Sequence, residues 1–178
     1  MKSNKATIFV LVIALLLLNV TYGCGILPES ISKPTVGYIP QEWYLSDEEP
    51  YDTFKDSDGT KWGFIEYTDT VDLDFVQIFY GDVPPSLRGR EHDMVALLSN
   101  EHFPLRDIDE TGTMFLVGEL AAWGKVRDIL PGDDVLGIIF IKGSTCINIF
   151  ASYAATEENE AQVMSLIRSI DLEPSYRR

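Results

Sequence analysis

Few side chains in this sequence have the type and spacing that chemistry needs. The two histidines, His92 and His102, fall in "PPSLRGREHDMVALLSNEHFP", a stretch bounded by prolines and read as a helix. Ten residues along one helix place them about 80° apart around the axis and roughly 15 Å apart along it, too far to share a metal. Each follows a glutamate, Glu91 or Glu101, but sequence neighbours point to different sides of a helix, so both are expected on a solvated face. Asp56 and Asp58 in "DSDGT" match the D-x-D-G portion of an EF-hand loop. In that frame Phe54 takes the first ligand position and Ile65 the twelfth, where a bidentate glutamate is required. A turn uses the same Asp and Gly residues for local hydrogen bonds and positive φ, and is the expected reading. Weak, irregular calcium binding at Asp56 and Asp58, helped by Asp47, Glu48 or Asp52, is the alternative.

Nucleophiles fare no better. There is no G-x-S-x-G elbow, and "KGSTC" reads as hairpin turn chemistry. Cys146 is flanked by Thr145 and Ile147, with no cation to lower its pKa, so a buried, unreactive strand cysteine is expected. Trp43 and Trp62 are candidates for a ligand or partner patch, Trp43 because Pro40 and the acidic stretch "SDEEPYDTFKDSDG" place it near an edge; core packing is the competing reading. No catalytic residue is assigned.

Location is better specified. Lys2 and Lys5 precede the apolar run "TIFVLVIALLLLNV", and Thr21 and Gly23 are small residues three and one before Cys24. This is the pattern of a secretory leader. The run is short for a bilayer core, which calls for roughly 20 residues. Gly23-Cys24 resembles the end of a prokaryotic lipobox, although Thr21 and Tyr22 depart from its usual residues. Cleavage and lipidation at Cys24 are expected, with an uncleaved signal anchor as the alternative; either puts the body outside the cytoplasm, attached to the membrane. If Cys24 carries lipid, Cys146 has no disulfide partner.

The 178 residues carry a formal charge of −14, which becomes −16 once Lys2 and Lys5 leave with the leader. Such a surface repels nucleic acid, whose phosphates need clustered Lys and Arg. About 155 residues then remain, enough for one domain with a single core.

The elements of that domain follow from pattern. "GILPESISKPTV" has the composition of a tether. "KWGFIEY" and "LDFVQIFYG" read as strands. In "LGIIFIKGSTCINIFASY" a two-residue turn at Gly143-Ser144 pairs Phe140 with Ile147 and Ile138 with Ile149 on one face, and Ile141 with Cys146 and Ile139 with Asn148 on the other. Both faces are mostly apolar, so the ribbon belongs in the centre of a covered sheet. "GTMFLVGELAAWGKVRDI" reads as a strand leading into it. The first helix has Met94, Val95, Leu97 and Leu98 on one stripe. In "TEENEAQVMSLIRSIDLEP", Thr156 is an N-cap, Glu157, Glu158 and Glu160 suit the positive end of the helix dipole, and Val163, Leu166, Ile167 and Ile170 form the apolar face.

The class is α+β. The tail "FIKGSTCINIFASYAATEENEAQVMSLIRSI", with "YIPQEWYL" and "WGFIEY", resembles archaeal extracellular proteins of the PsbP-like fold over roughly residues 38–172. The resemblance implies a mostly antiparallel sheet flanked by helices on both faces and a non-enzymatic binding or assembly role, and it carries no catalytic residues. The expected organisation is a leader or anchor at 1–23, a tether at 24–37, one domain at 38–172 that folds without cofactor, and a tail at 173–178. The function expected is a non-catalytic surface module for an unknown protein or small-molecule partner. The alternative is an extracellular hydrolase whose site is built from scattered carboxylates and aromatics.

Overall fold

The computed structural model describes residues 31–71 and 73–172. Cys24, the leader and the tail lie outside these residues. Among the described residues no helix is long and apolar enough to cross a membrane.

Seven strands form one antiparallel sheet: β2 (Trp43–Lys55), β3 (Lys61–Asp69), β4 (Phe75–Asp82), β5 (Glu110–Leu116), β6 (Glu119–Leu130), β7 (Asp133–Lys142) and β8 (Thr145–Ala154), in the spatial order 2-3-4-8-7-6-5. The β7–β8 hairpin has the register that its alternation predicts, with Phe140 opposite Ile147 and Ile139 opposite Asn148. Gly143, at φ 58°, opens its two-residue turn. Both of its faces are mostly apolar, and β8 lies fourth of seven, at the centre of the sheet. The segment before it, read as one strand, makes two: β5 and β6 turn back at Val117 and Gly118, both at positive φ.

One face of the sheet is covered by α2 (Glu157–Arg168). Thr156 caps it, its hydroxyl accepting from the Asn159 amide at 3.1 Å, and three glutamates stand in the first turn. Val163, Leu166 and Ile167 bury against Ile78, Ile138 and Ile149. Ile170, read as part of this helix, instead begins β9 (Ile170–Leu172), still buried.

The other face departs from expectation. The long helix predicted for residues 84–104 is reduced to α1 (Met94–Leu98), preceded by a single 3-10 turn at Pro85–Leu87. Pro84, Pro85 and the positive φ of Gly89 (74°) break any longer helix. Irregular chain therefore covers this face, through Leu87, Leu97, Phe103 and Leu105 against Ile139, Ile141 and Cys146. Val95, placed on the apolar stripe, points to solvent.

The stretch read as a tether contributes to the body. β1 (Pro34–Val36) pairs with β9 in a small second sheet, and the Ser32 amide donates to Thr145 Oγ1 at 2.9 Å. Proline lacks the N–H of a ladder donor, so it opens a short edge strand without loss. Most of the acidic stretch lies in β2, an edge strand whose register shifts and charges discourage pairing with another chain, and its end, from Asp56, lies in the turn that follows.

Candidate functional site

The turn between β2 and β3 is the "DSDGT" segment. Gly59 takes φ 89°, its amide donates to the Asp56 carbonyl, and the Thr60 amide donates to Asp58 Oδ1 at 2.8 Å. The Thr60 bond orients the Asp58 carboxylate, and the Trp62 indole N–H that of Asp56. In the irregular cover, Asn100 is buried; its Oδ1 accepts from the His102 amide at 2.9 Å and its Nδ2 donates to Ser86 at 2.8 Å. This Asx turn fixes the backbone at His102.

His102 consequently lies between the two acids. Nδ1 is 2.9 Å from Asp56 Oδ2 and Nε2 is 3.0 Å from Asp58 Oδ2. Its side chain is 9% exposed, so the solvated helix face expected for it is a misreading; His92 is exposed as expected. A neutral imidazole has one N–H and can donate to only one of the carboxylates, whereas the imidazolium donates to both. Burial alone would push the Asp58 carboxyl up, but the bonds from Thr60 and His102 outweigh it and hold it below the ordinary range.

Beside this cluster is a concavity of about 370 Å³. Phe54, Trp62 and Phe79 form its aromatic walls, and Asp56, His102 and Asn148 its polar ones. The Trp62 indole N–H donates to Asp56 Oδ2 at 2.7 Å, and its ring lies against Gly81, where a Cβ would meet it at 2.7 Å. Phe64 links Phe54 and Phe79, with ring centroids 5.7 and 5.8 Å away. Asn148 sits in the cross-sheet row Phe64, Phe79, Asn148, Ile139, Ala122, the one polar residue among the five central strands of that row, with Glu49 and Thr113 at its ends. It is 4% exposed and its Oδ1 has no hydrogen-bond partner. A buried unpaired acceptor costs on the order of 1–3 kcal/mol, so its presence calls for a reason.

Of the residues singled out in the sequence, Trp62, Asp56 and Asp58 come together here. Trp43 does not: it is 6% exposed beneath α2, its indole N–H donating to Gln162 at 3.2 Å, and is a core residue. Glu48 pairs with Lys33 and Asp52 with Lys61, away from this cluster. Cys146 is fully buried, and burial pushes its thiol well up, as an unreactive cysteine requires. His102 and Asn148 were missed. Asn148 had a legible signal, a lone amide on an apolar strand face; His102 had none, being 44 residues from Asp58.

No protein-family model matches the chain, and no curated protein matches it either.

Proposed function

We propose that the chain is a non-catalytic, extracytoplasmic binding module of the PsbP-like kind, tethered to the membrane at Cys24, which holds a small organic ligand in the concavity of Trp62 and Asn148. The antiparallel sheet and its closing helix support the fold assignment, and the leader pattern supports the compartment. The observation that carries the binding reading is Asn148, buried with its Oδ1 unpaired, in the lining of a concavity with aromatic walls. Such an acceptor is satisfied by a ligand N–H or O–H, and Phe54, Trp62 and Phe79 suit an apolar body. Asp56 and Glu101 on the rim favour a positive charge, which aromatic faces also attract. The preferred ligand is an organic ammonium with a small hydrophobic group. An acid–base hydrolase would need a carboxyl kept protonated near neutrality; Asp58 is displaced in the opposite direction.

The intrinsic fluorescence of Trp62 reports on the site. Titration with phenethylammonium should give a saturable change that phenylacetate does not. Asn148→Leu should abolish the response while raising the melting temperature, because it removes an unsatisfied buried group. A response unchanged in Asn148→Leu, or equal for both probes, would sink the reading.

The tether is tested separately. Intact mass should show an N-terminus at Cys24 carrying lipid, and Cys24→Ser should move the protein from the detergent phase to the aqueous one. Equal partitioning with Met1 retained would replace lipidation with an uncleaved anchor.

A further inference from the structure

We infer that Asp56, Asp58 and His102 form a site for a borderline divalent transition-metal ion, with zinc as the type, at the rim of the concavity. One ligand atom from each residue already lies within 4.8 Å of the other two. Around a tetrahedral ion with bonds of about 2.0–2.2 Å, ligand atoms stand roughly 3.5 Å apart. The contraction needed is about 1 Å, within reach of the Asp56 side chain, which is 44% exposed. Two carboxylates and an imidazole suit zinc or manganese; calcium takes six to eight oxygens and no imidazole.

The supporting bonds are those of a prepared site. Thr60 N–H occupies Asp58 Oδ1, which leaves Oδ2 directed at the imidazole. Trp62 N–H orients the Asp56 carboxylate, and Asn100 fixes the backbone at His102. With no ion bound, each ring nitrogen faces its own carboxylate; an ion takes one nitrogen, and the carboxylate beside the other turns to reach it. The unpaired Asn148 Oδ1 is an independent sign of a guest in the same concavity. Three protein ligands leave a coordination position open to water on the side of the concavity that His102 and Asp56 line.

The inference rests on the concavity being a binding site, as proposed above, and shares Asp56 with that reading, while His102 and Asp58 belong to the ion alone. The full chain in detergent is titrated calorimetrically with zinc chloride, with calcium chloride as comparator. One zinc site is expected, with calcium at least tenfold weaker. His102→Gln and Asp58→Asn should each weaken zinc on the order of 100-fold, Trp62→Phe about 10–100-fold, and His92→Gln not at all. The far-UV spectrum checks that each variant is folded. Absence of saturable zinc binding, equal zinc binding by folded His102→Gln and Asp58→Asn, or tighter calcium binding would overturn the inference. Asn148→Leu separates the two proposals. Zinc retained there with the phenethylammonium response lost supports both. Loss of zinc alone in the wild type leaves the organic-ligand reading standing, and failure of both probes in the wild type removes the concavity as a site.

Discussion

Truncation after Ala155 abolishes the cooperative thermal transition of the protein. The deletion removes α2 and β9 together, and with them Val163, Leu166, Ile167, Ile170 and Leu172, all buried. At about 1.5–3 kcal/mol for each aliphatic side chain, the loss is roughly 8–15 kcal/mol, against a total stability of about 5–15 kcal/mol. The damage also spreads: Ile78, Ile138 and Ile149 open to water, and β1 loses its pairing with β9. A graded version is Leu166→Ala, which should cost about 2–5 kcal/mol and leave a lower but still cooperative melt. Both are read by circular dichroism on heating. A truncated protein that melts like the intact one would refute the packing described.

Lys125→Met should cost about 3–5 kcal/mol at neutral pH, the loss expected when one member of a buried ion pair is removed. Lys125 and Asp134 are each 5% exposed, and Lys125 Nζ lies 2.9 Å from Asp134 and 3.1 Å from Glu160. Burial alone would push the ammonium down, but its bonds to Asp134 and to Glu160 outweigh that and hold it well above the ordinary lysine range. For Asp134, burial alone would push the carboxyl up; Lys125 and the Asp128 amide outweigh it and hold the group below the ordinary range.

The signs follow. A depressed carboxyl stabilises the fold above its unfolded value, 3.8, and that contribution is lost as pH falls through the lower folded value. A raised ammonium stabilises below its unfolded value, 10.5, and is lost only as pH rises through the higher folded one. The deficit of Lys125→Met should therefore be complete at neutral pH and shrink below about pH 4, as Asp134 takes up a proton. Urea unfolding across that range measures it. Lys125→Met combined with Asp134→Leu should recover much of the loss, since no uncompensated charge is left buried. An unchanged deficit at low pH, or no recovery in the double variant, would count against a pair that acts electrostatically.

The elements that were legible are those whose evidence is local. The β7–β8 register could be read because a strand alternates with period two and a glycine turn sets its phase. The α2 start could be read because Thr156 and three glutamates stand within one turn of each other. The covering segment was misread as a long helix because the stripe around Leu97 is helical in spacing, while Gly89 and the paired prolines, which cut it short, carry the opposite signal. β1 was invisible in composition, since its three residues become a strand only when Ile170–Leu172 lie alongside.

The sequence by itself determined the antiparallel hairpin at the centre of the sheet, the capped helix that closes one face, the "DSDGT" turn and the burial of Cys146. Each depends on the periodicity of a short stretch and on which side chains water excludes. Only the tertiary structure decided that His102 stands between Asp56 and Asp58, that Asn148 lines a concavity and that Trp43 belongs to the core. Those placements depend on where an irregular segment crosses a sheet face, and that path is set by packing among residues far apart in the chain, which no local period encodes.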